Sequence, residues 1–274
     1  MTRNKWISGP YLVWMVLFIV VPMGMVVWFA FTDNVTGVFT LDNILRIGNY
    51  SNVFVRSIWL GALATLICLL IGYPLAYIIS RVDEKYQNVI VLLIMLPMWM
   101  NFLLRTYAWM SLLEDNGIIN NLLAAIGLPR IHMINTSGAV VLGRVYNYLP
   151  YMVLPLYSVL TKIDGSVIEA AQDLGANRFQ VFRRVIFPMS MPGIISGITM
   201  VFVPSVSTFI ISKMLGGGGN MLIGDLIEME FLGNSYNPNL GSAISLVLMV
   251  LILISMGIMN QFSDGEDATG GVLL

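Results

Sequence analysis

Cysteine and histidine are almost missing from this sequence. It has one of each, Cys68 and His132, so a disulfide framework, a zinc cluster and a histidine-based catalytic triad are all excluded. Charge is scarce too: 11% of the 274 residues are Asp, Glu, Lys or Arg, against about 25% in an ordinary soluble domain. The 14 basic and 15 acidic side chains nearly cancel, leaving a net charge of -1 and no basic arm, which argues against a nucleic-acid partner. No G-x-x-x-x-G-K-[ST] motif occurs. The glycine run 216–219 lacks the lysine, so the chain brings no ATP site of its own. Apolar residues make up 57% and the mean hydropathy is +0.82, the composition of an integral membrane protein.

Six apolar stretches are long enough to cross a hydrocarbon core of about 30 Å, which takes roughly 20 helical residues. They are 10–31, 57–80, 89–113, 138–160, 189–212 and 241–262, and they predict an all-α membrane bundle forming a single domain. Pro22, Pro74, Pro97, Pro150, Pro155 and Pro204 fall inside them, as membrane helices tolerate. No small-residue cleavage site follows the first stretch, so it is expected to be a retained helix and not a signal peptide. Basic residues stay on the cytoplasmic side. With the N-terminus inside, the inner segments hold Arg3, Lys5, Arg81, Lys85, Lys162, Arg178, Arg183 and Arg184, and the outer ones only Arg46, Arg56, Arg130 and Lys213. Both termini are therefore expected in the cytoplasm. The acidic tail 263–274 is expected to lack fixed structure.

The inner segment 161–188 is the most informative. Ser166-Val-Ile-Glu169 reads as a capping box that opens a short helix, and Gly175 as its left-handed end. Asn177-Arg-Phe-Gln180 reads as a second cap, with Pro188 as the stop of the second helix. Phe179, Phe182, Val185 and Ile186 are expected to form one apolar stripe on this helical knob. Glu169-Ala170-Ala171, three residues, Gly175, nine residues, then Val185-Ile186-Phe187-Pro188 resembles the EAA loop of permease subunits in bacterial binding-protein-dependent ABC importers. Val185 and Phe187 replace the usual Ile and Leu by apolar exchanges. The resemblance extends over nearly the whole chain. Within the family it points to the first permease subunit of spermidine/putrescine importers, through Leu70-Ile-Gly-Tyr-Pro-Leu-Ala76, Leu96-Pro-Met-Trp-Met-Asn101 and Leu222-Ile-Gly-Asp-Leu-Ile227. It implies six spans of the MetI-like type in the bacterial inner membrane. It also implies docking of the EAA loop on the ATPase, with Glu169, Ala170, Ala171, Gly175, Phe179 and Pro188 as the coupling residues. The implied partners are a second related permease, a dimer of ATP-binding subunits that carry the ATP and magnesium, and an extracytoplasmic polyamine-binding protein. No metal or catalytic residue is expected in the chain.

A polyamine needs carboxylates for its amines and aromatic faces for its ammonium and methylene groups. The outer segments hold seven acids against four bases, and Asp225 and Glu228, three apart, share a helical face. The other reading is that these are solvated loop charges. In the third stretch Pro97, Asn101 and Arg105 recur every four residues and so line one face of a continuous helix, with Trp99 and Tyr107 nearby. Arg105 and Arg144 serve the passage or else snorkel to the headgroups. The aromatics, Tyr151 included, are ligand cage or interfacial belt. Pro204, followed by Ser205, Ser207 and Thr208, marks a kink suited to a passage or needed only for packing, and the glycine run after it suits an outer gate. Iron, sulfate or another small solute is the alternative cargo. A proton-coupled transporter is the alternative class, which the lack of Asp and Glu inside the six stretches disfavours.

Overall fold

The computed structural model describes residues 9–233 and 236–270. Among these the chain is helical apart from turns and one isolated bridge between Thr32 and Phe39. In chain order the helices are α1 (Gly9–Ala30), α2 (Asp42–Ser80), α3 (Glu84–Trp99), α4 (Phe102–Leu113), α5 (Ile118–Ala125) and α6 (Ser137–Leu160). There follow α7 (Gly165–Asp173), α8 (Arg178–Met189), α9 (Met191–Ser207), α10 (Ile210–Leu215), α11 (Ile223–Leu232) and α12 (Pro238–Gly270). Two π turns, Val16–Val20 in α1 and Phe182–Ile186 in α8, end two residues before Pro22 and Pro188. Each widens the helix where the proline withholds its N–H.

Three helices, α1, α2 and the part of α12 over Pro238–Met259, are long and apolar enough by themselves to cross a membrane. Two bent pairs, α3 with the following Phe102–Ala125 segment and α8 with α9, pass the same test together, for up to five candidates. The fourth expected span matches α6, whose 24 residues reach about 36 Å. It falls short of that apolarity because Arg144, Asn147 and four tyrosines dilute it. It is the central helix. With α2 and α9 it makes the core, in which Ala64, Cys68, Met152, Val153, Leu156 and Val201 are fully buried. Small residues set the approach of the three helices: a Cβ added at Gly197 would stand 2.6 Å from Met152 Sδ, and one at Gly72 3.0 Å from Met152 Cγ. A smaller cluster joins Phe54, Val206, Ile223, Leu226, Leu240 and Ile244 beneath α11.

Three expectations are corrected. The segment 89–113 is not one helix: α3 ends at Trp99, Met100 is extended at ψ 149°, and the axis turns by 88°. Pro97 lacks the N–H that would continue the ladder, and the Asn101 side chain accepts from the N–H groups of Leu103 and Leu104 at 2.8 and 3.4 Å, starting α4. Pro97, Asn101 and Arg105 therefore do not share one helical face. In the fifth segment α9 runs through Pro204 to Ser207, and the break comes at Thr208, extended at ψ 137°. Before it, the chain bends by 62° at Ser190, between α8 and α9. At the other end of the chain α12 continues through Gly270, so the tail up to that residue is helix, carried on from an apolar helix that meets no proline. Arg3, Lys5 and residues 271–274 lie outside the described residues.

Buried amides tie the ends of the helices near Thr32. Asn43 donates to the carbonyls of Ala30 and Thr32 at 3.3 and 2.9 Å, and Asn239 donates to the Thr32 carbonyl at 2.6 Å.

Candidate coupling loop and outer cavity

The 161–188 segment folds as two short helices about one glycine. Asp164, and not Ser166, caps α7: its carboxylate accepts from the Ser166 N–H at 3.0 Å. A carboxylate competes better than a hydroxyl for the positive end of a helix. That N–H, with further help from the Ser166 side chain, holds the Asp164 carboxyl below its usual range. Glu169, relieved of the capping task, is exposed and has no intrachain partner among the described residues. Gly175 takes φ +85°. Its N–H bonds to Gln172 O at 2.8 Å, and Ala176 N–H bonds back to Ala171 O at 3.1 Å, the paired bonds of a Schellman end. Asn177 and Gln180 then exchange side-chain and backbone hydrogen bonds, both at 2.9 Å, as a reciprocal cap for α8.

The expected stripe on α8 is divided. Val181 and Ile186 are buried against the core, and the Phe182 ring meets Tyr73 edge-on at 5.7 Å. Phe179 turns the other way and is 69% exposed. Leu174, which the motif does not mark, is 90% exposed. Its signal was an apolar residue immediately before the helix-ending glycine. Ala171 packs inward and Ala170 faces out. Pro188 does not end α8. The helix yields after Met189, where Ser190 N–H bonds to Ile186 O at 3.0 Å, and α9 restarts at Met191 with Pro192 in its first turn, where a missing N–H breaks no intrahelical bond. The Ser190 hydroxyl lies 2.9 Å from Tyr73 Oη, fastening the bend to α2. The knob is thus rigidly joined to the core on one side and shows Glu169, Ala170, Leu174 and Phe179 on the other.

At the opposite end, α10, the glycine run and α11 enclose a cavity of about 330 Å³ lined by Ser212, Lys213, Met221, Asp225, Glu228 and Met229, among others. Asp225 caps α11 from within. One of its oxygens accepts from Leu222 N–H at 2.9 Å and the other from the Ser212 hydroxyl at 2.8 Å. Burial raises its carboxyl pKa, and the two hydrogen bonds and the Arg144 charge only partly offset this. Glu228 takes Lys213 Nζ on both oxygens, at 2.7 and 2.9 Å. The two acids share one cavity wall, as their spacing suggests, and each already has a partner. Lys213 was not foreseen as that partner, since fifteen residues and a glycine run separate it from Glu228.

The remaining candidates are dispersed. Trp99 and Tyr107 are exposed, Tyr151 is 39% exposed with its ring 6.3 Å from that of Tyr148, and Pro204 is half-buried. Asn101 is spent on the α4 cap. Arg105 and Arg144 do not snorkel. They are 7% and 0% exposed, and Arg105 Nε and Nη1 and all three Arg144 nitrogens have no hydrogen-bond partner among the described residues. Arg105 lies 5.9 Å from the Phe102 ring centre. Arg144 lies within electrostatic range of Asp225. The chain presents an exposed helical knob at one end and an acid-lined cavity at the other, joined by α2, α6 and α9.

Comparison with known proteins gives the family. Residues 68–265 match the family described as the binding-protein-dependent transport system inner membrane component. The chain is 40% identical over 250 residues to the spermidine/putrescine transport system permease protein PotB of Haemophilus influenzae, covering 88% of this chain and 87% of that one. The Escherichia coli PotB is 38% identical over 248 residues, covering 87% and 90%. A bacterial ABC transporter that imports the acidic polysaccharide alginate shares the fold at a TM-score of 0.80 and 18% identity, over 96% of each chain. With more than half its length matched, the chain belongs to the inner-membrane permease components of binding-protein-dependent transport systems.

Proposed function

We propose that this permease carries spermidine or putrescine inward as one of two related membrane subunits, driven by ATP hydrolysed on a separate ATPase dimer. The observation that carries the substrate is the identity of about 40% with spermidine/putrescine permeases over nearly nine-tenths of the chain. Asp225 and Glu228 in one outer cavity suit a dication, whereas a sulfate would meet two carboxylates. An extracytoplasmic polyamine-binding protein presents the cargo at that face. The knob at Glu169, Ala170, Ala171, Gly175, Phe179 and Pro188 seats in the ATPase, which binds the ATP and magnesium. This reading takes six crossings, with α6 as the fourth, and cytoplasmic termini; the excess of Lys and Arg in the inner connections supports that orientation. Transport then works by alternating access. A displacement at the knob passes through the 62° bend at Ser190 into α9, whose far end breaks at Thr208 beside the cavity.

Vesicles holding the complete complex test the cargo. Labelled putrescine or spermidine should accumulate, and iron and sulfate should not. Accumulation of iron or sulfate with neither polyamine moving would overturn the assignment.

A further inference from the structure

We propose that Lys213 is a tethered competitor for the substrate amine at Glu228, and that it sets a binding threshold which chains with a second cationic amine clear and monoamines do not. The inference rests on the polyamine reading above. The Lys213 ammonium already sits where a primary amine would bind, on both oxygens of Glu228 at 2.7 and 2.9 Å. The lysine side chain is 61% exposed and the glutamate 23%, so the pair lies at the cavity mouth, where ion pairs are weak and exchange readily. The lysine stands in the last turn of α10 and Glu228 on α11. The mobile end of a four-carbon stem can therefore leave without unpacking either helix.

Exchange has a consequence for specificity. A single ammonium that displaces Lys213 replaces one charge by the same charge and gains nothing at Glu228. A diamine gains at its second end, because Asp225 lies three residues away on the same helical face, about 5–6 Å between Cβ atoms, within reach of a four-carbon chain. Asp225 gives one hydrogen bond site on each oxygen to Leu222 and Ser212, and a carboxylate has about four acceptor sites in all, so capacity is left for an amine. The lysine thus sets the threshold for occupancy without contacting the substrate at the moment of binding, and Asp225 supplies the second contact that clears it.

The test is equilibrium binding of labelled putrescine to the complete complex of permeases and ATPase in lipid nanodiscs, without the binding protein, so that the affinity read is the permease's own. Competition by n-butylamine, a monocation of the same chain length, is measured alongside. K213M should bind putrescine about 2–5-fold tighter, the range expected if Lys213 occupies Glu228 half to four-fifths of the time, and n-butylamine should gain by the same factor, since both displace the same ammonium. K213R should match the parent. Unchanged or weaker binding in K213M, with E228Q weakened, overturns the competitor and leaves the acid site standing. No change in E228Q as well removes the cavity from the substrate path. Loss of complex yield in both K213M and K213Q makes the pair structural and overturns the inference.

Discussion

Replacing Gly175 by valine leaves the packing of the coupling knob intact, because a Cβ at this position meets nothing within 4 Å. The effect is confined to the backbone. At φ +85° a residue with a Cβ costs on the order of 1–2 kcal/mol, and a β-branched one sits at the upper end. The chain either holds the turn at that cost or relaxes to negative φ. Relaxing breaks the Gly175–Gln172 and Ala176–Ala171 hydrogen bonds and swings α7 against α8. A penalty of this size shifts the balance between the two arrangements by about 5–30-fold. The knob then meets the ATPase in the wrong geometry for most of the time. ATP hydrolysis and polyamine uptake, measured in the same vesicles, should show uptake per ATP falling in the order Gly, Asn, Ala, Val, since asparagine tolerates the left-handed region. Membrane insertion of the variants should be unchanged. Normal coupling in Gly175→Val would refute the reasoning, as would an asparagine variant as impaired as the valine one, since that would make the lost surface and not the dihedral decisive.

Asn177→Ala removes the reciprocal cap and should destabilise the knob by about 1 kcal/mol, read as faster amide hydrogen exchange over 177–182 with α2 unaffected. Gly197→Leu drives a side chain into Met152 and should abolish complex yield, whereas Gly257→Leu, with open space around it, should not. The double change Asp225→Asn with Glu228→Gln should raise the polyamine concentration for half-maximal uptake while the maximal rate and yield hold; a joint fall in rate and yield would mark a structural role instead. Burial raises the Asp225 pKa and Arg144 lowers it. A raised pKa keeps the carboxyl protonated, and so unable to hold an amine, to a higher pH than for a free aspartate. Arg144→Met removes the opposing charge and should move the acid limb of the uptake profile upward; an unmoved limb would separate Arg144 from Asp225.

What was legible in the sequence followed from local chemistry. Hydropathy located the starts of α1, α6 and α12 to within three residues and the end of α2 at Ser80, though α2 begins fifteen residues earlier than its apolar stretch, and the Gly175 end and the Asn177–Gln180 cap lie where residue type alone puts them. The Asn101 cap was written in equally local terms. It was overlooked because the apolar run across Pro97 invited one continuous helix, and periodicity cannot report where a ladder stops. The capping role of Asp164 was lost to a motif match two residues later, since a hydroxyl followed by Glu169 imitates a capping box. The Lys213–Glu228 pair and the burial of Arg105 and Arg144 depend on how α4, α6, α10 and α11 meet. No periodicity of a single helix carries that, and a lipid-facing arginine and a bundle-facing one have the same spacing. Leu174 and Phe179 fall between the two cases: their apolarity is visible, but which face they show depends on the turn at Gly175.

The account rests on movement of a polyamine driven by ATP hydrolysed on a separate subunit. The most direct measurement is the time course of labelled spermidine entering vesicles that hold the complete complex, with its binding protein outside and ATP enclosed. Accumulation should persist when a protonophore collapses the proton gradient and should stop when the enclosed nucleotide is a non-hydrolysable analogue. Accumulation that survives the analogue and collapses with the protonophore would contradict the account and make the chain part of a proton-coupled carrier.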